Sequence, residues 1–113
     1  MNESLPLLKG TLDLLVLKAL SWGPMHGYGI AFWLESRSDG AVAVEDSALY
    51  QALHRLEGRR YVKAEWGVTE NNRRARYYTL TSRGRAQLRD DAAVWQRYTQ
   101  AVSSILALGT PAQ

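Results

Sequence analysis

Ser47, Tyr50, Gln51 and His54 stand three, four and seven positions apart from the first of them, the spacing that brings side chains onto one face of an α-helix. Each carries a hydroxyl, amide or imidazole that donates or accepts hydrogen bonds, and none is an acid. Such a face can bond to base edges or to phosphate oxygens; a plain solvated helix more often shows Glu/Lys pairs there. Further along, Arg73, Arg74 and Arg76 follow Asn71 and Asn72. Guanidinium groups at the tip and flank of a hairpin reach phosphates or enter a minor groove. The chemistry suggested is recognition of a polyanion.

The distribution of charge agrees. Residues 1–53 carry Lys9, Lys18 and Arg37 against six acids, a net of −3, whereas residues 54–85 carry nine basic groups against Glu57, Glu65 and Glu70, a net of +6. Residues 86–113 sum to zero, so the net +3 of the 113-residue chain is concentrated in one block, the footprint of a polyanion-facing surface. Catalytic or metal chemistry finds little support. Cysteine is absent and the only histidines are His26 and His54, so thiolate and disulfide chemistry is excluded, and no metal or cofactor is expected. Asp90-Asp91 and Glu45-Asp46 are adjacent acids whose side chains diverge on a helix, and no nucleophile elbow, Walker loop or H-E-x-x-H pattern occurs. The chain is not expected to be an enzyme, and His26 is expected to cap or pack the turn into the second helix. No apolar stretch reaches the length of a membrane span, and the N-terminal MNESLPLLKG lacks the basic region of a signal peptide. A cytoplasmic protein with no membrane partner is expected.

Hydrophobic periodicity supplies the elements that must position these groups. Residues 11–22 read as a helix, with Leu12, Leu15, Val16, Ala19 and Leu20 on one face and Leu14 and Leu17 on another; a helix apolar on two sides is expected to be covered twice, once by a partner. A second helix is expected over 26–38, weakened by Gly27 and Gly29 unless backbones pack closely there. The third, about 47–58, buries Leu49, Ala52, Leu53 and Leu56, and Glu45-Asp46-Ser47 offer its capping side chains. Strands are expected over 61–68 and 74–81 around a turn at Asn71-Asn72, forming a wing. Thr81-Ser82 then caps a last helix running to about Leu108. Its stripe Leu88, Ala92, Trp95, Thr99, Val102 and Leu106 is of heptad type, and so apolar a helix needs a partner surface. A two-fold dimer through Leu14, Leu17, Leu88, Trp95, Val102 and Leu106 is expected. The fold class is mainly α with a small β-wing: a winged helix-turn-helix over residues 1–81, plus a long C-terminal dimerisation helix and tail over 82–113.

Three strings, LKGTLDLLVLKALSWGPMHGYGI, SALYQALHRLE and RRARYYTLTSRGRAQL, together resemble the PadR family of bacterial transcriptional regulators from about Leu8 to Leu108. The single C-terminal helix is similar to the short subgroup of that family. The resemblance implies a homodimeric repressor acting on double-stranded DNA at an inverted-repeat operator, with Tyr50, Gln51 and His54 on the helix facing DNA and Arg73, Arg74 and Arg76 on the wing. Some short members bind planar aromatic compounds between their C-terminal helices, where a tryptophan stacks on the ligand. Trp95 occupies the matching place, and with the small neighbours Ala92 and Thr99 it outlines a slot for a flat effector; the alternative is that Trp95 packs in the dimer core or against the first helix. One position departs. After Leu56-Glu57 the family continues with two variable residues and a glycine, where this chain has Arg60, which leaves the left-handed cap after the third helix open. A winged-helix module that binds protein and never touches DNA is the functional alternative, disfavoured by the +6 block.

Overall fold

The computed structural model describes residues 5–8 and 10–111. In chain order its elements are α1 (Thr11–Leu20), β1 (Met25–His26), α2 (Gly27–Arg37), α3 (Asp46–Gly58), β2 (Val62–Val68), β3 (Arg74–Leu80) and α4 (Ser82–Leu106). The strands form one antiparallel sheet in the order β1-β3-β2. β2 and β3 pair from Val62↔Leu80 out to Val68↔Arg74. The architecture is the expected one, mainly α with a β-wing. β1 is an addition: it pairs Met25 with Tyr78 and His26 with Tyr77, and at two residues it is too short for any alternation to announce it.

The apolar stripes of α1, α2 and α3 meet in a single core with the root of the wing. Val16, Leu17, Ala19 and Leu20 pack with Ile30, Leu34, Leu49, Leu53, Leu56, Val62, Tyr78 and Leu80. The predicted stripe of α3 is buried throughout. On α1 the second apolar side behaves differently from expectation. Leu17, assigned above to a partner interface, is 1% exposed and belongs to this core. The reason is that α1 touches α2, α3, α4 and β3 at once, so little of its circumference is left uncovered. Leu88 is half-buried against the same core. Leu14 stays partly exposed where α1 meets α4.

The helix ends follow local rules with one correction. His26 caps α2, its Nδ1 accepting from the Gly29 N–H at 2.9 Å, as expected for a residue at that turn. Thr81 caps α4, its hydroxyl accepting from the Gly84 N–H at 3.0 Å. At α3 the capping position is Glu45, whose side chain makes no capping hydrogen bond. The acids at this end therefore act through charge on the helix dipole, with Asp46 in the first turn.

The end of α3 closes the question left by Arg60. Arg60 N–H bonds to the Glu57 carbonyl at 2.9 Å and Tyr61 N–H to the Leu56 carbonyl at 3.0 Å, the paired bonds of a Schellman cap. Arg60 itself adopts φ 64°, so it takes the left-handed conformation a glycine would take. Two satisfied carbonyls and the packing of Tyr61 on the core outweigh a Cβ penalty of roughly 1–2 kcal/mol. Arg60→Gly should therefore stabilise the fold by about 0.5–1 kcal/mol after allowing for the more flexible unfolded chain. A rise in the urea midpoint at constant slope is the expected reading, and an unchanged or lower midpoint would contradict the strain.

Candidate nucleic-acid interface

α3 turns its polar face outward. Ser47, Tyr50, Gln51 and His54 are all exposed, and together with Arg55 they wall one shallow depression. The face is fixed in direction because Leu49, Ala52, Leu53 and Leu56 are anchored beneath it. Arg55 is held in turn by α1: its Nη2 and Nε donate to the Asp13 carboxylate at 2.7 and 3.3 Å. That bond raises the guanidinium pKa above its already high ordinary value, with burial and the Asp13 charge as lesser causes of opposite sign. Arg55 thereby sets the roll of α3 on α1.

The wing turns where the two asparagines predicted. Asn72 adopts φ 61°, a left-handed conformation that asparagine tolerates well, and Thr69 and Arg73 close the loop through Thr69 N–H to Arg73 carbonyl at 2.8 Å. The three wing arginines have different surroundings. Arg73 is exposed in the turn. Arg74 lies over the Trp66 ring, 4.7 Å from its centroid. Arg76 donates to Glu57 of α3 at 2.9 Å and lies 6.0 Å from the Tyr78 ring centroid. Arg76 thus ties wing to helix, its charge partly offset by Glu57.

The polar face of α3 and the wing join through Tyr50. Besides the α3 depression, Tyr50 lines a groove of about 880 Å³ between the start of α2 and the wing, together with Trp66, Arg73, Arg74 and Arg76. Tyr78 also lines this groove and is 4% exposed. The Tyr50 hydroxyl lies in the space that a side chain at Gly27 would fill, so a larger residue there would have to displace the end of the Tyr50 ring. His26 and Tyr28 complete this wall, with the His26 ring edge-on to Tyr77 at 5.2 Å. His26, Tyr28 and Trp66 are the groove residues that sequence reasoning missed. For Trp66 the available signal was the interleaving of aromatic residues with arginines along β2 and β3, which alternation places on one face of the sheet; His26 and Tyr28 lie on other elements and carried no such signal.

Of the three residues proposed for an effector slot, Trp95 lines a concavity at the α1–α4 contact. This concavity, of about 470 Å³, is also lined by Leu14, Val94 and Tyr98 among others, and neither Ala92 nor Thr99 lines it. Ala92 and Thr99 are half-buried on the same helix, and the Thr99 hydroxyl donates back to the Trp95 carbonyl at 2.9 Å. Beyond this contact, Val102, Ile105 and Leu106 are exposed. Among the described residues no group of three His, Cys, Asp or Glu side chains is placed to hold a metal ion, and no helix is long and apolar enough to cross a membrane.

Three packed helices, a basic hairpin beside the third and a long fourth helix define a winged-helix regulator. The chain belongs to the PadR-like family of transcriptional regulators, whose family model matches residues 16–90; proteins of this family regulate transcription and are not enzymes. A transcriptional regulator from Clostridium thermocellum is 26% identical, with 85% of this chain and 90% of that one covered at a TM-score of 0.77. A PadR family regulator from Eggerthella lenta is 30% identical, covering 89% of this chain and 86% of that one at a TM-score of 0.73. PadR from Bacillus subtilis, solved in complex with operator DNA, shares the fold at 20% identity and a TM-score of 0.64, covering 91% of this chain and 50% of that one.

Tyr78 carries a pH dependence. Burial pushes its phenol above the ordinary value of 10.0, opposed by the charge of Arg76. The folded state therefore holds the proton after the unfolded chain has lost it, so this contribution is complete below about pH 10 and is lost as pH rises through the folded value. Unfolding free energy from urea titrations should fall above about pH 10, and fall less steeply in Tyr78→Phe. Parallel curves for the two proteins would assign the alkaline loss to other groups.

Proposed function

We propose that the chain is a homodimeric repressor that reads an inverted-repeat operator in double-stranded DNA, with residues 1–81 contacting DNA and residues 82–113 pairing the subunits. The observation that carries this reading is the acid-free face Ser47, Tyr50, Gln51 and His54, continuous through Tyr50 with Arg73, Arg74 and Arg76. Hydrogen-bonding side chains on a helix serve base readout, and flanking arginines serve phosphate contacts. The complex of Bacillus subtilis PadR with operator DNA supports carrying the partner over to this relative. Pairing is supported by the exposed apolar stripe Val94, Tyr98, Val102, Ile105 and Leu106 on the outer half of α4, continuous with Leu14 and Trp95 at the α1–α4 concavity. The same concavity is our candidate place for a planar aromatic effector stacking on Trp95. A ligand there shifts DNA affinity only by its differential affinity for the arrangements of the two recognition helices. A cytoplasmic location fits this function.

The test is selection of bound duplexes from a random pool, which should return an inverted repeat with half-sites roughly one helical turn apart. Gln51→Ala should relax sequence preference at a cost of about 1–3 kcal/mol. Arg73→Ala should weaken binding to all sequences alike and flatten the salt dependence by about one unit of slope. A wild-type salt slope near zero, with no sequence selected, would turn the reading to a protein–protein module. Assembly is tested separately. Light scattering should give a dimer at micromolar concentration, and Val102→Asp should place a charge in the seam, cost several kcal/mol and shift the protein to monomer. A wild-type monomer would remove the two-half-site model.

A further inference from the structure

The groove between the start of α2 and the wing carries more aromatic surface than phosphate contacts require. Trp66 is 64% exposed and Tyr28 77% exposed, and both line it. Their rings are positioned by specific neighbours. Arg74 stacks on Trp66 at 4.7 Å, and Trp66 faces Arg76 across the β2–β3 ladder. Tyr28 stacks on His26 at 6.3 Å and 23°, and the cap to Gly29 holds that imidazole. No carboxylate is among the lining residues of this groove, whose basic members are Arg73, Arg74 and Arg76.

Exposed apolar faces, guanidinium groups and the absence of acids together match one kind of occupant. A sugar–phosphate strand offers the C–H face of deoxyribose to an aromatic ring and its phosphate oxygens to arginine. Through Tyr50 the groove is continuous with the α3 face, so a duplex lying on that face would bring a backbone strand to the groove. We propose that this groove seats one sugar–phosphate strand of the bound duplex, with Trp66 and Tyr28 packing on deoxyribose rings and Arg73 and Arg74 bonding the adjacent phosphates. The inference rests on the DNA-binding reading above and adds to it two uncharged contact residues. A contact of this type releases no counterions, so it contributes affinity that salt does not erode.

The experiment uses the intact chain and the duplex it selects from the random pool. Trp66→Ala should weaken binding about tenfold, the effect of losing one aromatic packing contact, with the salt slope unchanged. Arg74→Ala should weaken binding and lower the slope by about one. Hydroxyl-radical footprints should show deoxyribose protection beside each half-site that is lost in Trp66→Ala and kept in Trp66→Phe. Because Trp66 lies at the surface, both variants should unfold at the wild-type urea midpoint. If Trp66→Ala binds and protects like wild type while Gln51→Ala loses its sequence preference, no strand lies in the groove although the protein reads DNA. If Trp66→Ala lowers the slope and Trp66→Ala/Arg74→Ala loses nothing more, the indole only positions Arg74 and the direct contact is refuted. A wild type that selects no duplex overturns the DNA-binding reading, and this inference with it.

Discussion

The carbonyl oxygen of Tyr61 accepts from the backbone N–H of Thr81 at 3.0 Å and lies 3.0 Å from the Thr81 hydroxyl, and it fills the space that a Cβ at Gly84 would need. At this point the exit of α3, the start of β2, the end of β3 and the first turn of α4 come within one residue of each other. The same hydroxyl reaches the Arg60 carbonyl at 2.7 Å while capping α4. Around it, Arg83 donates to the Arg59 carbonyl at 3.0 Å and the Tyr61 hydroxyl donates to Gln87 at 3.0 Å. A hydrogen bond in water contributes only about 1 kcal/mol net, so the cluster matters chiefly for geometry. It makes the direction of α4 a function of the direction of α3, the rigidity that the proposed DNA-reading dimer would need.

A second set of contacts keeps the wing from moving independently of α3. Arg76–Glu57, Tyr50 over Gly27, and the short pairing of β1 with β3 all cross the groove or its root. The ion pairs Arg55–Asp13 and Arg76–Glu57, which join different elements, keep substantial exposure, where such pairs contribute about 0–1 kcal/mol. Their use is orientational. Each engages an arginine of the basic block, while Arg73 in the turn and Arg74 against Trp66 are not in either pair.

Much of this was legible in the sequence because three helices obey strict periodicity. The α3 stripe, the polar face opposite it and the asparagine turn of the wing all lie where spacing puts them. What was not legible depends on contacts between elements. Leu17 has the same side chain as its interface candidates, and only the convergence of four elements on α1 makes it core. β1 exists because β3 offers an unpaired edge beside His26. The left-handed Arg60 could not be decided locally, since the penalty at its Cβ is opposed by two backbone bonds and by Tyr61 on the core. For the site, the α3 face and the wing arginines were visible, whereas Trp66 and Tyr28 became candidates only once the groove placed them on facing walls.

α4 spans 25 residues, roughly 37 Å at 1.5 Å per residue, yet the only fully buried residue it contributes is Gly84 near its start. The outer turns, from about Tyr98 onward, carry apolar side chains left exposed among the described residues. An isolated stretch of that length is marginally helical in water, so its order is borrowed from whatever it packs against. With a second copy as that partner, helix formation obeys mass action and the population of completed regulators grows with the square of chain concentration at low abundance. Under the proposed pairing, expression level would then enter the output steeply, as a threshold set by the outer half of one helix.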